Sequence, residues 1–279
     1  MQNQRTNPSN RAATISRAAC ALAACLFHGQ AHAGAWTLEK GAVYNKIAAN
    51  YFTSDSTFGT GAEGFEEFTD FTVNYYGEFG LTDKLTLITQ VPLRRSENTT
   101  AGESVDTFGV GDVDIGLRYN LLNEKWVVSG QFLYKAPFLY DEDEELPLGS
   151  GQSAFEFRLQ AGRSLFPYGY VGFEAGYRIR AEDPSDEFRY LAEYGFDLNK
   201  NVYLRTKLDV IQAIDSTDIE IDLTGSPAFP NAFDLGKVEA SIGYKFNAKS
   251  SIEFTFTESI FGENILDGQT YQLGYVFGL

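Results

Sequence analysis

The side chains best suited to thiolate, imidazole or thioether chemistry in this 279-residue chain are two cysteines, two histidines and one methionine. All of them, Met1, Cys20, Cys25, His28 and His32, lie within the first 33 positions. From Gly34 onward there is no thiol and no imidazole, which excludes disulfides, Cys/His metal sites, and any scheme built on a histidine base or a cysteine nucleophile. Oxygen chemistry remains, because 38 Asp and Glu stand against 22 Lys and Arg, a formal net charge of −16. Paired carboxylates can cleave glycosides, but no pair is singled out by spacing, so we expect no enzyme, no metal and no cofactor. Gly59-Thr60-Gly61-Ala62-Glu63-Gly64 fits G-x-G-x-x-G. A dinucleotide site would need a crossover helix after it; strand pattern flanks it on both sides, and a loop tip is expected instead. Asn98-Thr99-Thr100 matches a glycosylation acceptor by chance.

The segment that holds those reactive side chains reads as an export signal. Arg5, Arg11 and Arg17 form a positive start without acidic residues, an apolar stretch runs from Ala18 to Phe27, and Ala31-His32-Ala33 puts small residues where a signal peptidase reads. Residues 1–33 are therefore expected to be a signal peptide cleaved before Gly34, and 34–279 the mature domain. The apolar core is about ten residues, too short to span a bilayer. Lipoprotein processing at Leu22-Ala23-Ala24-Cys25 is the weaker alternative. Cleavage before Gly34 removes three arginines, leaving 19 basic against 38 acidic residues, a net charge of −19. An exported acidic chain is not expected to bind nucleic acid.

After Gly34 the chain alternates in twos, the signature of strands. Val113, Ile115, Leu117, Tyr119 and Leu121 alternate with Asp114, Gly116, Arg118 and Asn120; Val238, Ala240, Ile242, Tyr244 and Phe246 with Glu239, Ser241, Gly243 and Lys245. Twelve such runs lie near 41–54, 65–80, 84–96, 106–122, 125–139, 152–166, 168–181, 186–198, 201–215, 233–247, 249–261 and 269–279. Every second connection is tight, at 81–84, 123–124, 167, 199–201 and 247–249. The others, 55–64, 97–105, 140–151, 182–185, 216–232 and 262–268, are longer and polar. Short turns on one side and long loops on the other are what a membrane barrel requires, and backbone in lipid must be paired, so the sheet must close. Aromatics such as Tyr51, Phe79, Trp126, Phe166, Tyr168 and Phe246 gather near run ends, as in interfacial girdles. The expected fold is all-β: a transmembrane, antiparallel, up-and-down β-barrel of about twelve strands in a Gram-negative outer membrane. A soluble periplasmic β-sandwich is the runner-up.

If the apolar set faces lipid, the opposite set faces the lumen. The lumen-lining candidates are Lys46, Glu78, Arg94, Asp112, Asp114, Arg118, Lys135, Glu156, Arg158, Glu174, Arg178, Arg205, Lys207, Asp209, Glu239, Lys245 and Glu253. Neighbouring strands should bring Glu156 and Arg158 to Glu174 and Arg178, and Arg205, Lys207 and Asp209 to Glu193 and Asp197. This set can serve a polar passage or a lattice of paired charges that fills the barrel. Pro92 and Pro137 lack a ladder donor and belong at rims or bulges; a bulge there could open a gap in the wall for apolar solutes. Tyr271, Leu273, Tyr275, Phe277 and Leu279 alternate to the last residue, the pattern read by the barrel assembly machinery. Acidic runs at 141–145 and across Asp215, Asp218, Glu220 and Asp222 are expected to be solvated outer loops, with cation attraction or divalent bridging to lipopolysaccharide as the functional alternative.

Several segments resemble the outer-membrane transporter family grouped as the "MetA-pathway of phenol degradation". Val91-Pro92-Leu93, the run from Phe108 through Gly109, Gly111, Asp112 and Asp114 to Tyr119, Lys135-Ala136-Pro137 and Leu148-Gly149-Ser150-Gly151 carry the likeness. Leu93 stands where that family favours an aromatic, and the chain ends in Leu279 where outer-membrane barrels more often end in Phe. The resemblance implies a barrel that passes small, apolar or aromatic compounds. The expected function is passive passage of small molecules, in a setting of outer-membrane lipids and lipopolysaccharide; the alternative is a structural or surface-interaction barrel without transport.

Overall fold

The computed structural model of the protein describes residues 34–59, 65–137, 139–141, 144–181, 184–214 and 227–278. The expected signal segment 1–33, the glycine-rich tip 60–64, Glu142, Asp143, the acidic stretch from Asp215 to Asp222, and Leu279 lie outside these residues. Every regular element among the described residues is a strand. In chain order they are β1 (Val43–Phe58), β2 (Phe65–Thr82), β3 (Leu85–Thr100), β4 (Glu103–Val110), β5 (Val113–Asn123), β6 (Val127–Ala136), β7 (Ala154–Ser164), β8 (Tyr170–Arg180), β9 (Glu187–Asp197), β10 (Val202–Ala213), β11 (Asp234–Asn247), β12 (Ser250–Glu263) and β13 (Ile265–Gly278).

Apart from β4 and β5, strands adjacent in sequence pair antiparallel, and β1 closes the sheet on β13, from Tyr44 opposite Gly278 to Phe58 opposite Ile265. Closure pairs the two ends of the sheet, as backbone in lipid requires, and among the described residues β4 keeps one edge without a strand partner. The thirteen strands make twelve staves, because β4 and β5 lie end to end along β3. Leu85–Gln90 of β3 pair with β5, and Leu93–Thr100 pair with β4. The expected single run at 106–122 is thus broken at Gly111-Asp112, opposite Pro92. Pro92 cannot donate to the ladder, but its carbonyl accepts from Gly111 N at 3.0 Å. Between Gln90/Asp114 and Leu93/Val110 the β3 side has two residues and the other side three, which is a bulge. Pro92 therefore sits at a mid-strand bulge and not near a loop end, since β3 continues to Thr100; Pro137 directly follows β6.

Two expected long loops are not loops. β3 and β4 form a hairpin whose turn is Ala101-Gly102, with φ of 52° and 81°, as a two-residue primed turn requires. β12 and β13 are joined by Asn264 alone, at φ 53°. In 97–105 the apolar alternation fades because polar residues stand on both faces, buried Asn98 as well as exposed Glu97, yet the ladder continues. Ser104 Oγ donates to Glu97 at 2.9 Å and Arg95 pairs with Asp106 at 3.1 Å on these extensions.

Burial is inverted relative to a soluble sandwich. Thr86, Ser129, Glu156 and Gln160 are essentially shut off from solvent, while Ile115, Leu117, Phe157, Leu159, Ile242 and Leu273 are exposed on the outer face. A sandwich that hid its glutamates and showed its leucines to water would forfeit the hydrophobic term that folds it. The same pattern suits hydrocarbon outside and paired polar groups inside. Leu159, mid-strand in β7 and 57% exposed, tests this directly. Leu159→Arg should cost about 2–4 kcal/mol of folding free energy in bilayers; a cost below about 0.5 kcal/mol in a urea titration into vesicles, the usual size for a solvated surface site, would argue against a lipid-facing wall.

Candidate functional site

The inner face collects charge because every second residue of each strand points inward and strand register sets those residues side by side. Glu156 of β7 stands opposite Arg178 of β8, and their side chains pair at 2.6 Å. Arg158 binds Glu156 and also reaches Glu174 at 3.0 Å, and Arg189 of β9 approaches Glu156 at 3.6 Å. Lys207 of β10 lies between Glu193 at 3.7 Å and Glu239 at 3.5 Å, while Lys237 meets Asp209 at 3.8 Å. Glu253 of β12 is a second hub, with Lys46 at 2.8 Å, Arg205 at 2.7 Å and the Tyr203 hydroxyl at 3.0 Å.

Small residues let these arms lie flat along the wall. Lys46 crosses β13 over Gly274, where an added Cβ would come within 2.6 Å of its Cε. The Tyr203 ring covers Gly243 on its way to Glu253. Arg118 spans β3 to grip both oxygens of Glu78 at 3.1 Å. Arg94 and Ser96 share Asp70, at 2.8 and 2.6 Å.

All the lumen candidates are buried or partly buried. Their partners do not follow from register alone. Lys135 stands opposite Asp114 but bonds Asp112 at 3.3 Å, so Asp114 takes no part in that ion pair. Arg205 turns to Glu253 and not to Glu193, and Asp197 pairs with Lys245 at 2.6 Å by the short-turn end. Asp209 is claimed by Lys237. Tyr271, Leu273 and Tyr275 face outward, exposed, on the β13 side of the closing seam with β1.

Two closures of the lumen were not read from the sequence. The first is the segment Gly34–Ala42, which enters from the short-turn end. Lys40 N donates to Asp83 Oδ1 at 3.0 Å and Leu38 N to Thr86 Oγ1 at 2.9 Å. Arg118 donates to the Trp36 carbonyl at 3.0 Å and Ser129 to the Ala35 carbonyl at 2.5 Å. The Trp36 ring lies over Gly162 and meets Tyr170 edge-on at 6.2 Å. Trp36, an isolated indole ahead of the first strand pattern, was the available signal.

The second closure is at the opposite end. Leu146 turns inward against Phe68 and Leu266, with Phe52, Phe65, Val105 and Ala228 around them. Leu148 lies against Gly109 and Gly111, beside the wall bulge, and its carbonyl accepts from Arg94 at 3.1 Å. Asp112 ties this loop down: it accepts from Ser150 N and Oγ at 3.1 Å each and from the Tyr140 hydroxyl at 2.5 Å. Arg94 also covers the Phe229 ring at 5.0 Å, and Arg180 holds the carbonyl of Asn231 at 3.0 Å, so a second inturned segment joins the closure. Beyond Asp112, β4 pairs with β3 alone, whereas β6 pairs with β5 only as far as Val113 opposite Ala136. At that level no strand among the described residues pairs with the other edge of β4, and Leu148 lies against Gly109 and Gly111.

No family model matches the chain, and no curated protein matches it in sequence. Solved structures do match. An outer-membrane channel from Pseudomonas putida F1 superposes with a TM-score of 0.71 at 18% identity, over 88% of this chain and 98% of that one. The NanC porin gives 0.54 at 10% identity, over 84% and 100%. The translocator domain of autotransporter NalP from Neisseria meningitidis gives 0.52 at 13% identity, over 96% of each. Identities this low carry the fold and nothing finer. The chain has the closed, antiparallel, twelve-stave β-barrel fold seen in outer-membrane proteins.

Proposed function

We propose that the protein is exported, loses residues 1–33, and sits in a Gram-negative outer membrane as a passive, gated passage for small molecules. The solute class that fits best is apolar or aromatic. The observation that carries this is the ladder break at Gly111-Asp112, where a leucine-bearing loop lies against the break and is held by bonds to Asp112 and Arg94. A segment held this way can move without unzipping the ladder. Behind it lies the apolar cluster of Phe68, Leu146 and Leu266, a surface for an apolar solute that the charged lattice does not offer. The resemblance to the phenol-degradation transporters points to the same solute class. The outward row Tyr271, Leu273, Tyr275 and Phe277 is our candidate for the edge read during assembly, with Leu279 beyond the described residues. Lipids and lipopolysaccharide are the surroundings.

A structural barrel without transport is favoured by one observation, the dense pairing of charges along the inner wall. Reconstituted vesicles loaded against a graded panel of solutes, from ions and sugars to monocyclic aromatics, separate the two. Passage of the aromatics above that of protein-free vesicles is expected; no accelerated passage of any solute would sink the proposal.

A further inference from the structure

Gly34 ends the lumen segment at a polar corner between β7 and β8. An added Cβ at Gly34 would collide with the Glu174 carboxylate and come within 2.6 Å of Gln160 Nε2. The backbone nitrogen of Gly34 thus lies roughly 5 Å or less from that carboxylate, given standard backbone geometry. Gln160 is 1% exposed, and its Oε1 is a buried acceptor without a hydrogen-bond partner. Glu174 has Arg158 as its ion-pair partner, and that guanidinium is shared with Glu156. The corner therefore holds a partly compensated carboxylate beside one backbone nitrogen, and the Gln160 amide presents to Gly34 its Nε2, which donates to Gln131 Oε1 at 3.3 Å. In an uncleaved chain that nitrogen is an amide with one N–H and no charge.

We propose that the α-ammonium created by signal-peptide removal is itself the ligand of this corner: it ion-pairs with Glu174, and so latches the segment Gly34–Leu38 in the lumen. Cleavage adds water across the Ala33–Gly34 amide; Ala33 takes the new carboxylate and Gly34 the amine, which is protonated at neutral pH. Three donors on one small cation suit the two oxygens of a carboxylate whose other ion-pair partner is shared. A side chain at that position would have to push aside the tips of Glu174 and Gln160. The inference rests on the export and cleavage site proposed above, but not on what the barrel passes.

The test uses three refolded proteins: the chain beginning at Gly34, the same chain with Ser-Ala added ahead of Gly34, and Glu174→Gln beginning at Gly34. Hydrogen exchange of the amides of 35–38 is read in each, alongside channel conductance in planar bilayers. Extension moves the ammonium away without touching the wall, so it stands even if Glu174→Gln fails to fold. Exchange about tenfold or more faster in the extended chain is expected, the scale for loss of a charge-assisted bond. Glu174→Gln should do the same, and extension of Glu174→Gln should add nothing further. Unchanged exchange on extension, or effects of the two changes that simply add, would overturn the latch. Absence of conductance in all proteins would count against the proposed passage and leave the exchange comparison intact.

Discussion

Glu156→Gln should lower the unfolding free energy by about 3–5 kcal/mol, the scale for stranding buried charge by removing its partner. The carboxylate is 2% exposed and faces guanidiniums from three successive strands: Arg158 of β7, Arg178 of β8 at 2.6 Å and Arg189 of β9 at 3.6 Å. Arg189 is the most dependent of the three, since its buried Nε has no hydrogen-bond partner. Glutamine keeps the volume and the acceptor oxygen but removes the charge, so the loss isolates electrostatics from packing. The internal control is Lys245→Gln, which breaks a 2.6 Å pair whose Asp197 side chain is 52% exposed. That loss should be no more than about 1 kcal/mol, as for pairs in contact with water. Equilibrium urea unfolding from vesicles, with heat-modifiable gel mobility as the folded-state readout, measures both. Equal losses for the two variants would mean that the lumen is wet enough to screen the Glu156 hub, and the lattice would then be a pore lining and not a structural core.

The elements were legible in the sequence wherever one strand face meets hydrocarbon, because apolar alternation is set by the lipid contact itself. Ile115, Leu117 and Tyr119 against Gly116, Arg118 and Asn120 give both the strand and its facing. Legibility fails where that contact ends. The extensions Glu97–Thr100 and Glu103–Ser104 look like loop because polar residues stand on both faces, buried Asn98 as well as exposed Glu97, although the ladder runs through them. Strand parity also told which charges point inward, but not which pair. Lys135 is opposite Asp114 by register and still bonds Asp112, because a lysine arm reaches past its direct neighbour and Asp112 sits in a bulge that parity does not describe. The closures were invisible for another reason. Gly34–Ala42 and Leu146–Gly151 are held by backbone carbonyls and scattered side chains, a pattern with no period. Only their isolated apolar residues, Trp36, Leu146 and Leu148, mark them as buried.

A disulfide between Gly109→Cys and Leu148→Cys should hold the Leu148 segment on the wall and abolish accelerated passage of aromatic solutes, with reduction restoring it. The site fits: a Cβ at Gly109 would lie 2.8 Å from Leu148 Cδ1, which puts the two Cβ atoms roughly 4–5 Å apart, near the range a disulfide spans. The chain from Gly34 onward has no cysteine of its own, so the engineered pair has no competing thiol. The opposite perturbation is Asp112→Ala, which removes the acceptor of Ser150 N, Ser150 Oγ, Tyr140 and Lys135 at one stroke. Each bond to a charged group contributes about 1.5–3 kcal/mol. Loss of one such bond's worth of closure already shifts the open fraction roughly tenfold or more. Aromatic flux into vesicles should rise by at least that factor while sugar flux stays unchanged, because the Glu156 and Glu253 hubs on the inner wall are left intact. Glu78 and Arg118 are also left in place, so the Gly34–Ala42 segment keeps its anchor at Trp36. Adding the disulfide to Asp112→Ala should return aromatic flux to the background of protein-free vesicles. If flux in the doubly altered protein stayed high under oxidising conditions, solutes would be passing through the axial lumen, and the ladder break would not be their route.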